Sequence, residues 1–93
     1  GFRGVGAYDK AEGQARLAAK LAQANFGIES WEYLQALEAL ALTKKAASHY
    51  AEAAPLQQQL IALYEKIAPH HEGYERALSG YAGTLVYLAR KKE

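Results

Sequence analysis

The side chains best suited to proton transfer, metal ligation or nucleophilic attack are His49, His70 and His71, the glutamates Glu32, Glu38, Glu52, Glu65 and Glu75, and Ser30, Ser48 and Ser79. A metal centre needs three or four ligands that converge. His70 and His71 are adjacent, so their side chains diverge, and Glu72 or Glu75 beside them adds only a weak site. Neither His-Glu-x-x-His nor a paired Glu-x-x-His spacing occurs. The glutamates are scattered, and no two stand out by spacing as an acid and base held together. The serines lack the strand-to-helix elbow that exposes a nucleophile. There is no cysteine, which excludes disulfides, thiolate zinc sites and cysteine nucleophiles. The expectation is a protein with no catalytic residues, no cofactor and no metal.

Charge narrows the partners further. Eleven basic residues stand against ten acidic ones, a net charge of +1. Nucleic-acid binding rests on a surplus of lysine and arginine against phosphates, and none exists here. The one basic run, Arg90-Lys91-Lys92, suits the C-terminal end of a helix, where the backbone dipole favours cations. No apolar run approaches the roughly 20 residues that cross a bilayer, so no membrane partner is expected. Beginning at Gly1 rather than methionine, the sequence reads as a processed chain or a piece of a longer one.

Any candidate surface must be carried by helices. Apolar residues make up 51% of the chain, enough to argue against disorder, and alanine, leucine, glutamine, glutamate and lysine dominate. The glycine-rich residues 1–7 are expected to be irregular, without the spacing or Lys-Ser/Thr ending of a phosphate loop. A first helix is expected from about Asp9 to Asn25, opened by an Asp9/Glu12 capping box and closed by Phe26-Gly27. Its alanines 11, 15, 18, 19 and 22 form a small-residue stripe, widened by Leu17 and Leu21. A second begins after Ser30, an N-cap residue, and fades near Ala46–Ser48. A third begins near Tyr50, with Pro55 early and Gln57 interrupting an apolar stripe that ends at Ile67. The loop Ala68–His71 leads to a fourth, Glu72 to Arg90, with Tyr74, Leu78, Tyr81, Leu85 and Leu88 as its stripe. The fold class is all-α, with antiparallel helical hairpins joined by short loops.

The two halves echo one another. Tyr8-Asp9-Lys10-Ala11 recurs as Tyr50-Ala51-Glu52-Ala53, and Ala36-Leu37-x-x-Leu40-Ala41-x-Thr43 as Ala77-Leu78-x-x-Tyr81-Ala82-x-Thr84, at a period of about 41–42 residues. Such a period marks a solenoid, whose units bury their apolar faces against neighbouring units. The segments Leu37-x-x-Leu40-Ala41, Tyr50-Ala51-Glu52-Ala53-x-Pro55-Leu56, Tyr64-Glu65-Lys66-x-x-Pro69-x-His71 and Ala77-Leu78-x-x-Tyr81-Ala82 together resemble a tetratricopeptide repeat. They are most similar to the longer subtype found in kinesin light chain and in many bacterial proteins. The resemblance covers about Tyr8 to Arg90, with residues 8–93 as one helical repeat domain. It implies a short right-handed solenoid of about four stacked helices, in which His71 caps the fourth. It departs from the family at Lys44, which stands where the family usually has an aromatic or apolar residue, and at Glu38-Ala39 and Ser79-Gly80, which replace an asparagine pair that often grips a bound peptide's backbone.

In such a stack the second and fourth helices line a concave face. Its inward residues would be Gln35, Glu38, Leu42 and Lys45 on one helix and Arg76, Ser79, Gly83, Val86 and Tyr87 on the other. Mixed polar, charged and aromatic groups suit a peptide or a partner helix, with Tyr87 the best single anchor. The alternatives are a merely solvated face, a small ligand held between helices, or a homo-oligomer formed through the exposed faces of the first and fourth helices.

Overall fold

Ser30 begins the most sharply defined helix of the chain. Its backbone is extended, and its side chain accepts a hydrogen bond from the Tyr33 backbone N–H at 3.1 Å, which satisfies one otherwise unpaired donor. A computed structural model describes residues 2–92, with side chains described for 8–91. It contains α1 (Phe2–Phe26), α2 (Trp31–Ala46), α3 (Tyr50–Ile67) and α4 (Glu72–Lys92), and no strand among the described residues. The short connections make consecutive helices antiparallel neighbours, and the packing runs from α1 to α2, α2 to α3 and α3 to α4.

Each connection has its own stop signal. Gly27 ends α1 with a left-handed φ of 87°, which costs a glycine nothing. Ser48 does the same after α2 at φ 66°, and there the Ser48 and His49 N–H groups donate back to the carbonyls of Lys45 and Lys44. At α4 the His71 ring accepts from the Gly73 N–H at 2.9 Å, so a histidine caps this helix.

The expected irregular segment at residues 1–7 is corrected: α1 is helical from Phe2, and Gly1 lies outside the described residues. Extending a formed helix adds one hydrogen bond per residue fixed, against a glycine penalty of only about 1 kcal/mol. Asp9 therefore sits inside the helix, and the capping box has no helix start to cap. Glu12 turns to other partners, described below.

The core is built where α2, α3 and α4 meet, from Leu34, Leu37, Leu60, Ile61, Leu63, Tyr64 and Ala77. Tyr64 is its largest fully buried side chain. Its ring meets Trp31 edge-on at 6.4 Å and lies 6.3 Å from Tyr74. Against α2, α1 presents alanine: Ala15 and Ala22 are buried there, whereas Leu17 and Leu21 turn outward, 57% and 53% exposed. The apolar stripe of α4 is likewise rotated from expectation. Gly73, Ala77 and Thr84 are buried, and Leu78 and Leu85 are 41% and 44% exposed. Thr84 sits in the interior because its hydroxyl donates to the Gly80 carbonyl one turn back, at 3.0 Å.

Candidate functional site

Along α2, Glu38, Ala41, Leu42 and Lys45 fall at intervals of three and four residues and so share one face. Arg76, Ala77 and Gly80 of α4 come up beside them, and Gln57 and Leu60 of α3 lie between. Together these nine residues line a cavity of about 320 Å³, near the lower end of the range for small-molecule and peptide-side-chain sites. Its apolar part is Ala41, Leu42, Leu60 and Ala77. Its charged part is Glu38, Lys45 and Arg76.

Several contacts set the cavity's shape. Tyr64 donates its hydroxyl to Glu38 Oε2 at 3.2 Å and so fixes that carboxylate from below. Burial pushes the Tyr64 phenol above its ordinary pKa, the Glu38 charge and hydrogen bond add to the rise, and Arg76 pulls it back. The tyrosine is thus a neutral donor at neutral pH. Neither Lys45 nor Arg76, which also line the cavity, forms an ion pair among the described residues. Gly80 keeps the middle open: a Cβ built there would stand 3.4 Å from Gln57 Nε2 and 3.7 Å from Lys45 Nζ. Gln57 is 6% exposed, and its Oε1 has no hydrogen-bond partner among the described residues.

Of the nine residues expected on a binding face, the cavity brings together Glu38, Leu42, Lys45 and Arg76, while Val86 is exposed on α4 and does not line it. Gln35 lies elsewhere, in a groove between α1 and α2. Ser79 and Gly83 are exposed on α4 and do not line the cavity. Tyr87 is near the far end of α4, its ring 4.0 Å from that of Tyr50. It lines a smaller cleft there with His49 and Glu52. Gln57 and Gly80 join the site unexpectedly. Their signals were a lone amide in an apolar stripe and a glycine inside a helix.

A second polar cluster lies at the junction of α1, α2 and α3. Lys44 is buried, and its ammonium pairs with Glu12 of α1 and, at 3.1 Å, with Glu52 of α3. Glu12 also accepts from Arg16 at 2.7 Å, and His49 approaches Glu52 at 3.4 Å. The bond to Glu12 holds the lysine above its ordinary pKa against the opposing effect of burial, and the bond to Lys44 holds the Glu12 carboxyl below its own. The buried cation is thus accommodated by carboxylates from the two flanking helices.

His70 and His71 remain apart from any acidic cluster. Among the described residues no three histidine, aspartate or glutamate side chains gather closely enough to hold a metal ion. No described helix is long and apolar enough to cross a membrane. Compared with protein-family models, with curated protein sequences and with solved structures, the chain gives no match.

Proposed function

We propose that this chain is a protein–protein interaction module that holds a peptide or partner helix in the cavity between α2 and α4, by shape and charge rather than by chemistry. The observation that carries this reading is the convergence of Glu38, Leu42, Lys45 and Arg76 from two helices on one cavity. Two cations face one carboxylate, and that carboxylate is already engaged by Tyr64. The surplus favours a segment with an acidic residue set beside an apolar one, the latter meeting Leu42, Ala41 and Ala77.

The repeat-like stack is part of the same proposal. The described chain measures 37 × 27 × 18 Å. Packing runs in chain order, α1 on α2, α2 on α3 and α3 on α4, with no comparable α1–α4 contact among the described residues, which favours an open row over a closed bundle. In such a row, α2 and α4 occupy equivalent places and share a face.

Selection of linear peptides from a random displayed library tests the reading. Enriched peptides are expected to be acidic and to lose binding at least tenfold against the double variant Lys45→Glu, Arg76→Glu. Equal binding to that variant, with an unchanged far-ultraviolet circular dichroism spectrum, overturns it.

A further inference from the structure

The internal echo assigns a partner to two surfaces that the described fold leaves open. Within the chain, α2 fills the groove of the hairpin α3–α4. Its Leu34 and Leu37 share a core with Leu60, Leu63 and Tyr64 of α3 and Ala77 of α4. Leu37 also lines a cleft with Gln59 and Leu63.

The preceding hairpin, α1–α2, carries the same groove one repeat earlier. By the echo, Ala18, Leu21 and Ala22 stand where Leu60, Leu63 and Tyr64 stand, and Ala36 stands where Ala77 stands. This groove is open. Ala18, Leu21, Ala22, Ala36 and Ala39 line a cavity of about 430 Å³, with Leu21 53% exposed. Its walls are largely alanine, so a helix seated there can approach closely and insert larger side chains. The helix that echoes α2 is α4. Its Leu78 and Ala82 stand where Leu37 and Ala41 stand, yet Leu78 is 41% exposed whereas Leu37 is buried.

We propose that the chain associates head to tail, with the exposed Leu78–Ala82 face of α4 in one copy seated in the open α1–α2 groove of the next, as α2 sits on α3–α4 within a copy. Charge supports the match. By the same echo Glu75 stands where the buried Leu34 stands, so in this antiparallel pairing its carboxylate enters the contact at the end where Lys20 stands beside Leu21, and neither has an ion-pair partner among the described residues. The contact joins two different surfaces, so each added copy presents a fresh pair, and growth continues until the row closes into a ring or runs on as a filament. It rests on the repeat-like stack proposed above but not on the peptide reading, since neither surface includes Lys45 or Arg76.

Multi-angle light scattering across a concentration series tests this with two variants, Leu78→Lys and Leu21→Glu. Both sites are exposed, so each variant should keep the helical circular dichroism signal. The unaltered chain is expected to rise above monomer mass with concentration, and each variant alone to stay at monomer mass. An equimolar mixture of the two is expected to reach dimer mass and no more, because it retains one intact α4 face and one intact groove. A monomer at every concentration overturns the proposal. So does a mixture that stays monomeric, which would indicate a like-with-like contact, or variants that assemble as the unaltered chain does.

Discussion

Replacing Tyr64 by alanine should lower the unfolding free energy by about 4 kcal/mol, the usual scale for removing a buried aromatic ring. A domain of this size holds roughly 5–15 kcal/mol in all, so the loss is a large share of its stability. The reason lies in where the ring sits. Tyr64 is 1% exposed and belongs to the cluster that joins α2, α3 and α4 among the described residues. Trp31, His71 and Tyr74 all lie against it, the closest of these rings at 5.9 Å. Removing it opens a hole that rigid helices cannot collapse to fill. Tyr64→Phe separates the hydroxyl from the ring. It keeps the packing, frees Glu38 from its donor and should cost only about 1 kcal/mol. Urea denaturation of both variants checks this. A loss below about 1 kcal/mol for the alanine variant would remove Tyr64 from the centre of the account.

Gly73→Ala should destabilise by about 2 kcal/mol, the middle of the range for overpacking a core. A Cβ on Gly73 would overlap the Tyr64 hydroxyl oxygen and stand 2.8 Å from the ring carbon that bears it. Moving the end of a flexible surface side chain would relieve such a clash cheaply. Tyr64 is neither exposed nor free, since its hydroxyl is bonded to Glu38 and its ring is enclosed. The better helix propensity of alanine offsets at most about 1 kcal/mol of this. For a domain of 60–100 residues each kcal/mol moves the midpoint by about 4–8 °C, so thermal unfolding resolves the effect. The double variant Gly73→Ala, Tyr64→Phe should recover part of the loss, because the phenylalanine lacks the oxygen that the new methyl meets. An unchanged midpoint for Gly73→Ala would mean that α4 does not approach α3 this closely.

The boundaries of α2, α3 and α4 were legible because each is announced by a local device. Ser30 offers a cap, Pro55 falls early in α3, and the Pro69–His71 loop ends in a ring that accepts from the next helix. The start of α1 was not, because glycines signal a break only where nothing sustains the helix beyond them. Which leucines face inward was also hidden. Leu17 and Leu21 share a stripe with buried alanines by spacing, yet close approach to α2 rotates that stripe so that only alanine fits beneath it. The buried Lys44 could not be placed from composition. Its burial depends on Glu12 and Glu52, which are far apart along the chain and come together only once α1 and α3 flank α2.

The candidate site was half legible. Glu38, Leu42 and Lys45 follow from helical periodicity within α2, and Arg76 from the echo of that helix in α4. Gln35 went astray because one helical position separates the cavity from the α1–α2 groove. Tyr87 went astray because an aromatic partner, Tyr50, lies at the start of α3. Gln57 and Gly80 were visible only as irregularities. Their meaning is a distance between helices, which no single-helix pattern contains.

The packing that forms the cavity is tested most directly by nuclear Overhauser contacts between the Gln57 side-chain amide hydrogens and the Gly80 α-hydrogens. The 3.4 Å approach of Gln57 Nε2 to the Gly80 Cβ position predicts clear cross-peaks in solution. Their absence, with Gly80 instead in contact only with solvent or with residues of α1, would contradict the placement of α3 between α2 and α4 on which the binding face depends.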